Sequence, residues 1–416
     1  MLKTWSCVCA VLLILAVDVQ AEEEWPQVLG PHRNGISAET DLLDNWPEEG
    51  PKEVWRVPGG VGMSGLAISR GRLLTMVQTD GKQRIICVDA ATGKPIWKTS
   101  VAPEYRNGQG DGPRATPTIV GDQVFAFTGE GILVALKFSN GDVLWSHNTL
   151  EEHGGQPADY GMACSPLVAA ERVIVTIGAP QATVVAYDIK SGKPAWKART
   201  EDTAGYSSPA LLNVGGREQL VVFTGSSVIG IAAQDGADLW RYPYKTDYDC
   251  NIATPLSFKE QVFISAAENH GSVLLKLLPD GDRFRPTEVW ASQGVKSVLR
   301  NEWQTSILID GYLYGFDNVG SAGPVTHLTC VNASTGERVW RQARFGKGNL
   351  IAGDGKLFIS TIKGELVVIE ASPQHYQEIG RTPLLGPTRQ APALCAGLLY
   401  LRDGREIVCV DVRKPK

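Results

Sequence analysis

"DAATGKPIW" spans residues 89–97, and variants of it recur at 137–145 (KFSNGDVLW), 188–196 (DIKSGKPAW), 232–240 (AAQDGADLW) and 332–340 (NASTGERVW). Each places a glycine four residues before a tryptophan. From Trp97 the tryptophans fall at 145, 196, 240, 290 and 340, with spacings of 48, 51, 44, 50 and 50 residues. A fixed period of that size marks a repeat architecture, in which each unit buries its apolar face against the next.

One unit reads "ATPTIVGDQVFAFTGEGILVALKFSNGDVLW" (115–145). Short runs rich in Val, Ile, Phe and Leu alternate with Gly and Asp turns, which predicts four antiparallel strands per unit. Gly93, Gly141, Gly192, Gly236 and Gly336 fall between the third and fourth strands. A tight turn there needs positive φ, which glycine adopts without steric cost. The tryptophan then lands on the outermost strand, placed to pack between units. Four-stranded units of this length arrange radially.

Eight inner-strand segments can be counted, near Leu66, Pro117, Pro166, Pro209, Pro255, Ser306, Leu350 and Pro392. The expectation is an all-β, eight-bladed β-propeller of four-stranded antiparallel blades, with a seven-bladed ring as the alternative. The seventh unit lacks the tryptophan, and the eighth stops after its third strand. "KEVWRVP" near the N-terminus, with Trp55 in the tryptophan slot, supplies the missing strand and closes the ring.

Residues 1–21 (MLKTWSCVCAVLLILAVDVQA) carry Lys3, an apolar core and a small-x-small site ending at Ala21. They read as a secretory signal peptide, because the run is too short to span a bilayer. The organisation expected is signal peptide 1–21, an arm packed on the ring at 22–52 with Trp25 and Trp46 as anchors, the propeller at 53–413 and a tail at 414–416. The mature protein is then periplasmic or secreted, with no transmembrane segment. A net charge of -5 gives no reason to expect nucleic acid as a partner. Cys87, Cys330 and Cys409 share one repeat position inside apolar strands and read as small buried hydrophobes.

The D-x-x-T-G-K-x-x-W repeat resembles that of the pyrroloquinoline quinone (PQQ)-like propellers, over nearly all the mature chain. That superfamily includes quinoprotein alcohol and sugar dehydrogenases and the propeller lipoprotein of outer-membrane assembly. "WPQVLGPHRNGIS", "GPRATPTIVGD" and "YSSPAL" are similar to exported members from planctomycete-type bacteria. The resemblance implies the propeller fold and two functional alternatives. One is a binding or scaffold module for a protein, a glycan or a small ligand, with no cofactor expected. The other is a PQQ-dependent dehydrogenase using PQQ with calcium. The sequence has no adjacent Cys-Cys pair and no C-x-x-C-H, which favours the binding module.

Connections from a fourth strand to the next first strand are long, so their face is the recognition face. Three residues before each inner-strand marker stand Met63, Arg114, Ala163, Tyr206, Ile252, Trp303 and Arg389, with the seventh unit ambiguous between Lys347 and Gly348. Trp303 does not fit the outer-strand slot. The candidate ligand-binding residues are Arg114, Tyr206, Asn251, Glu302, Trp303 and Arg389, suited to a planar or anionic ligand through charge-assisted bonds and stacking. The plainer alternative has the arginines satisfying acceptors in the mouth and Trp303 packing under a loop. Glu302, Asn251 and Asp249 have the oxygen types of a calcium site, but no metal is expected; the histidines have no metal-ligand spacing.

Overall fold

The computed structural model describes residues 24–320 and 325–415; the signal-peptide segment 1–21 lies outside them. Among those described residues thirty-two strands form eight separate four-stranded sheets, eight rather than seven. Blade 1 runs Ala67–Ser69, Arg72–Thr79, Lys82–Asp89 and Pro95–Pro103, and the later blades repeat that order outward from the axis. Blade 8 takes Ala393–Cys395, Leu398–Arg402 and Glu406–Asp411 from the C-terminus. Its outer strand is Lys52–Pro58, in antiparallel register with Trp55 opposite Cys409. Among the described residues no helix is long and apolar enough to cross a membrane.

The glycine of the repeat has two causes, and φ is only the first. All five glycines have φ between +69° and +77°. The second cause is the preceding blade's indole, which lies on them. A Cβ on Gly93, Gly141, Gly192, Gly236 or Gly336 would come within 2.5–2.9 Å of Trp55, Trp97, Trp145, Trp196 or Trp290. Each of those indoles also donates Nε1–H across the seam to a carbonyl of the next blade, as Trp97 does to Phe138 at 3.0 Å and Trp290 to Ala333 at 2.9 Å.

Three seams depart from this rule. At the seam of blades 6 and 7, Trp340 donates to the Ser372 carbonyl at 2.9 Å but packs on Tyr376, which stands at the turn-glycine position. Trp240 is fully buried and bonds Gln219 of its own blade. Blade 5 has Pro286 four residues before Trp290, and its turn glycine, Gly281, meets no indole. Its long hairpin, Gly271–Asp280 with Arg283–Gln293, packs on blade 4 instead. In blade 7 the tryptophan position is Gly380, and Trp46 of the N-terminal arm fills the slot. A Cβ on Gly380 would meet Trp46 at 2.0 Å, and Trp46 donates to Thr382 Oγ1 at 2.9 Å.

The inner strands are tied by a belt of hydroxyls. At four blades the residue before the marker donates its backbone N–H to a Ser or Thr on the next blade: Gly65 to Thr116, Thr116 to Ser165, Ser165 to Ser208, and Thr254 to Thr305, at 2.9–3.1 Å. Such bonds satisfy buried backbone groups that no sheet ladder reaches. All six cysteines from Cys87 onward are free thiols. Cys87, Cys330 and Cys409 are fully buried opposite Trp97, Trp340 and Trp55.

The arm crosses the axis. Trp25 pairs with Ile68 of blade 1, and Ile36 bridges Ala352 of blade 7. Between them Arg33, 3% exposed, enters the channel and donates to the carbonyls of Ser165, Pro166 and Pro209. The arm therefore stops the channel from the short-turn side.

Candidate functional site

The stopped channel leaves a cup of about 580 Å³ at the centre of the long-connection face, with Val28 and Leu29 of the arm in its lining. The residues three before each inner-strand marker converge on it. Met63, Arg114, Ala163 and Tyr206 line one half; Ile252, Trp303, Lys347 and Arg389 line the other. Eight equivalent positions face one axis because the blades are related by rotation about it. The seventh position is Lys347.

Trp303 holds the centre of the basic side. The Arg389 guanidinium lies 4.5 Å and the Lys347 ammonium 4.4 Å from its ring centroid, both within cation–π range. Lys347 Nζ also lies 2.8 Å and 2.6 Å from the two oxygens of Glu302. Burial pushes the Glu302 carboxyl above the usual range, and the Lys347 contact opposes that rise.

Arg114 lines the cup, but its donors are committed. It donates to the carbonyls of Tyr160, Gly112 and Gly110, and its guanidinium stacks 4.6 Å from the Tyr105 centroid. It clamps the connection ahead of blade 2, with each of its three nitrogens tied to a backbone carbonyl. Arg389 is freer: one nitrogen donates to the Gln109 carbonyl at 3.0 Å.

Tyr206 belongs to an aromatic wall. It stacks on Tyr160 with centroids 5.6 Å apart and planes 25° apart, and its hydroxyl accepts the Tyr160 N–H at 3.2 Å. Tyr248, 66% exposed, stands beside them on a 3₁₀ turn in which Tyr248 and Asp249 have φ of +57° and +54°. Left-handed non-glycine residues cost energy and concentrate at ligand clamps.

Asn251 is a correction. It is fully buried and does not line the cup. Its amide donates to the carbonyls of Thr224 and Tyr244 and accepts from Thr246. Its neighbour Ile252 faces the cup, and successive residues of an extended segment point to opposite sides. Asp249 accepts from Thr203 at 2.8 Å. Glu302, Asn251 and Asp249 therefore do not converge, and the Glu302 oxygens face an ammonium where a divalent cation would have to sit. The residues present do not fit a quinone held through calcium by this carboxylate–amide set.

The residues missed from the sequence are Tyr160, Tyr248, Cys250 and Glu268. All line the cup. Tyr160, Tyr248 and Cys250 come from connections of unequal length and Glu268 from the turn between the second and third strands of blade 5, all outside the register of the inner-strand alignment. Burial pushes the Cys250 thiol up to about 12, and the carboxylates of Glu268, Glu302, Asp249 and Asp159 add to it.

A family profile described as outer membrane protein assembly factor BamB matches residues 48–159, 155–314 and 325–413. The outer membrane protein assembly factor BamB of Yersinia pestis is 22% identical over 320 residues, covering 74% of this chain and 75% of that protein. The quinohemoprotein alcohol dehydrogenase ADH IIB of Pseudomonas putida is 33% identical over 124 residues. That match covers 27% of this chain and spans only 17% of the dehydrogenase. Among solved structures, a europium-containing methanol dehydrogenase aligns with a TM-score of 0.69 at 12% identity, covering 94% of this chain and 90% of that one. BamB from Moraxella catarrhalis aligns with a TM-score of 0.58 at 14% identity, covering 88% and 98%. At such identities the structural likeness shows a shared fold alone. With matched segments running along nearly the whole propeller, the chain belongs to the PQQ-like β-propeller family whose profile carries the BamB description.

Proposed function

We propose that this chain is an exported binding module whose cup captures a small ligand or a short segment of a partner. The observation that carries this reading is the cup itself. It is blind, floored by the chain's own arm, and lined by residues converging from all eight blades, among them aromatic rings and charged groups. Pockets of this size with a few convergent polar groups are the usual form of a ligand site. The Lys347–Glu302 pair supports binding over quinone chemistry, because it satisfies the carboxylate that calcium would need. The signal-like segment 1–21 supports a periplasmic or secreted location, and the BamB relatives support a protein as one partner class.

The test is a ligand screen by thermal shift and saturation-transfer NMR, on the mature chain and on Trp303→Ala. Ligands that stabilise the first and not the second are expected. A screen with no Trp303-dependent hit would overturn the reading. A parallel incubation with PQQ, calcium and an electron-accepting dye, with simple alcohols as substrates, is expected to give no turnover. Dye reduction there would establish the dehydrogenase alternative.

A further inference from the structure

Two cations of the cup, Arg389 and Lys347, stand together on blades 8 and 7. Arg114, on the connection entering blade 2, is tied to backbone carbonyls including that of Tyr160, and Arg33 in the floor is tied to carbonyls and hydroxyl and amide oxygens of blades 2 to 4 and the arm. Across the axis Tyr160, Tyr206 and Tyr248 stand on the connections into blades 3 to 5, with Glu268 on the turn between the second and third strands of blade 5. The Cys250 thiol between them feels the carboxylates of Glu268, Glu302, Asp249 and Asp159. Tyrosine faces with nearby carboxylates attract an ammonium, whereas an arginine stacked on an indole presents its N–H edge to a carboxylate.

Building on the binding reading above, we infer that the cup takes a small zwitterion, its ammonium against Tyr160, Tyr206 and Tyr248 and its carboxylate against Arg389. Three features support this. The two poles are opposite walls of one cavity, so one ligand can reach both. Arg114 spends three of its five N–H groups, one on each nitrogen, on backbone carbonyls, whereas Arg389 has one such bond, so Arg389 is the more available partner for the anion. The strained turn at Tyr248 and Asp249 holds a largely exposed ring at the mouth, where a cation would be covered by it. A free amino acid and a short peptide with free ends share this chemistry.

Calorimetry on the mature chain separates the cases. The probes are phenylalanine, the tripeptide Ala-Phe-Ala with free ends, and its N-acetyl, C-amide and doubly capped forms. Each single cap is expected to weaken binding about tenfold or more, as loss of a charge-assisted contact does. Arg389→Gln should bind the free and amidated peptides alike, and Tyr248→Ala should bring the free and acetylated peptides closer together. Phenylalanine binding as well as the tripeptide would identify the amino acid as the smaller sufficient ligand. Indifference to the caps, sensitivity to one cap only, or no binding by any probe would each overturn the proposal. In those cases Trp303-dependent hits in the ligand screen would leave the binding reading standing; their absence would remove both.

Discussion

The other seven blades carry a tryptophan of their own at the position where blade 7 has Gly380 and borrows Trp46, and this can be tested by exchange. Trp46→Ala removes a partly buried indole and its bond to Thr382. A fully buried large-to-small change costs about 3–5 kcal/mol, and half of that, with about 1 kcal/mol for the hydrogen bond, gives roughly 3 kcal/mol here. For a domain of this size that is a fall in Tm of roughly 5 °C. Gly380→Trp in the native background must displace the arm, because a Cβ there lies 2.0 Å from Trp46. It should destabilise by a comparable amount. Combined with Trp46→Ala, it places the indole where the repeat normally carries it and should recover about half of the loss. Differential scanning calorimetry on the four proteins reads this coupling directly. Additive losses in the double variant would refute the idea that the two residues contend for one slot.

Deletion of residues 53–57 should leave blade 8 with three strands and lower the cooperative melting temperature; an unchanged melt would contradict closure by Lys52–Pro58. Trp303→Ala should cost about 1 kcal/mol of stability, as a change outside the core does, while Trp145→Ala, which lies on Gly192, should cost about 3 kcal/mol. Equal losses in denaturant titrations would place Trp303 in the core. Burial opposes the charge of Asp202, but bonds from Ser226, Ser227 and Arg241 outweigh it and hold its carboxyl below the usual range. A depressed carboxylate contributes stability above its unfolded pKa, about 4, that is lost as pH falls through the folded value. Asp202→Asn should therefore lower Tm at pH 7 and make little difference near pH 2; an equal deficit at both would assign the effect to packing.

The ring and the wall of its cup were legible in the sequence because both are periodic. Counting three residues back from each inner-strand marker found Arg114, Tyr206, Trp303 and Arg389, since rotation about one axis carries equivalent residues to equivalent places. Asn251 was misplaced because adjacency in sequence was taken for adjacency in space, and an extended backbone turns neighbours apart. Tyr160 and Tyr248 sit on connections that share no period, and Glu268 on a turn between second and third strands, away from the inner-strand marker. The contact of Trp46 with Gly380 crosses most of the chain, and the gap in the seventh unit showed only that something was missing. The glycine's second role was equally hidden: its need for positive φ is local, whereas the indole resting on it comes from the preceding blade.

The pairing of Lys52–Pro58 with Glu406–Asp411 sets the order in which the molecule can be made. Trp55 and Cys409 are about 350 residues apart in sequence. The first strand of the propeller to be synthesised therefore waits for the last. Until Asp411 is available, the stacked blades form an open arc, with blade 1 bare on one side and an unpaired strand on the other. Non-local contacts of this kind form slowly, and unpaired edges invite association with other chains. Truncation at either terminus would expose the same seam, so a damaged N-terminus and a prematurely stopped C-terminus should present the same sticky surface to the proteases and holdases that police new chains.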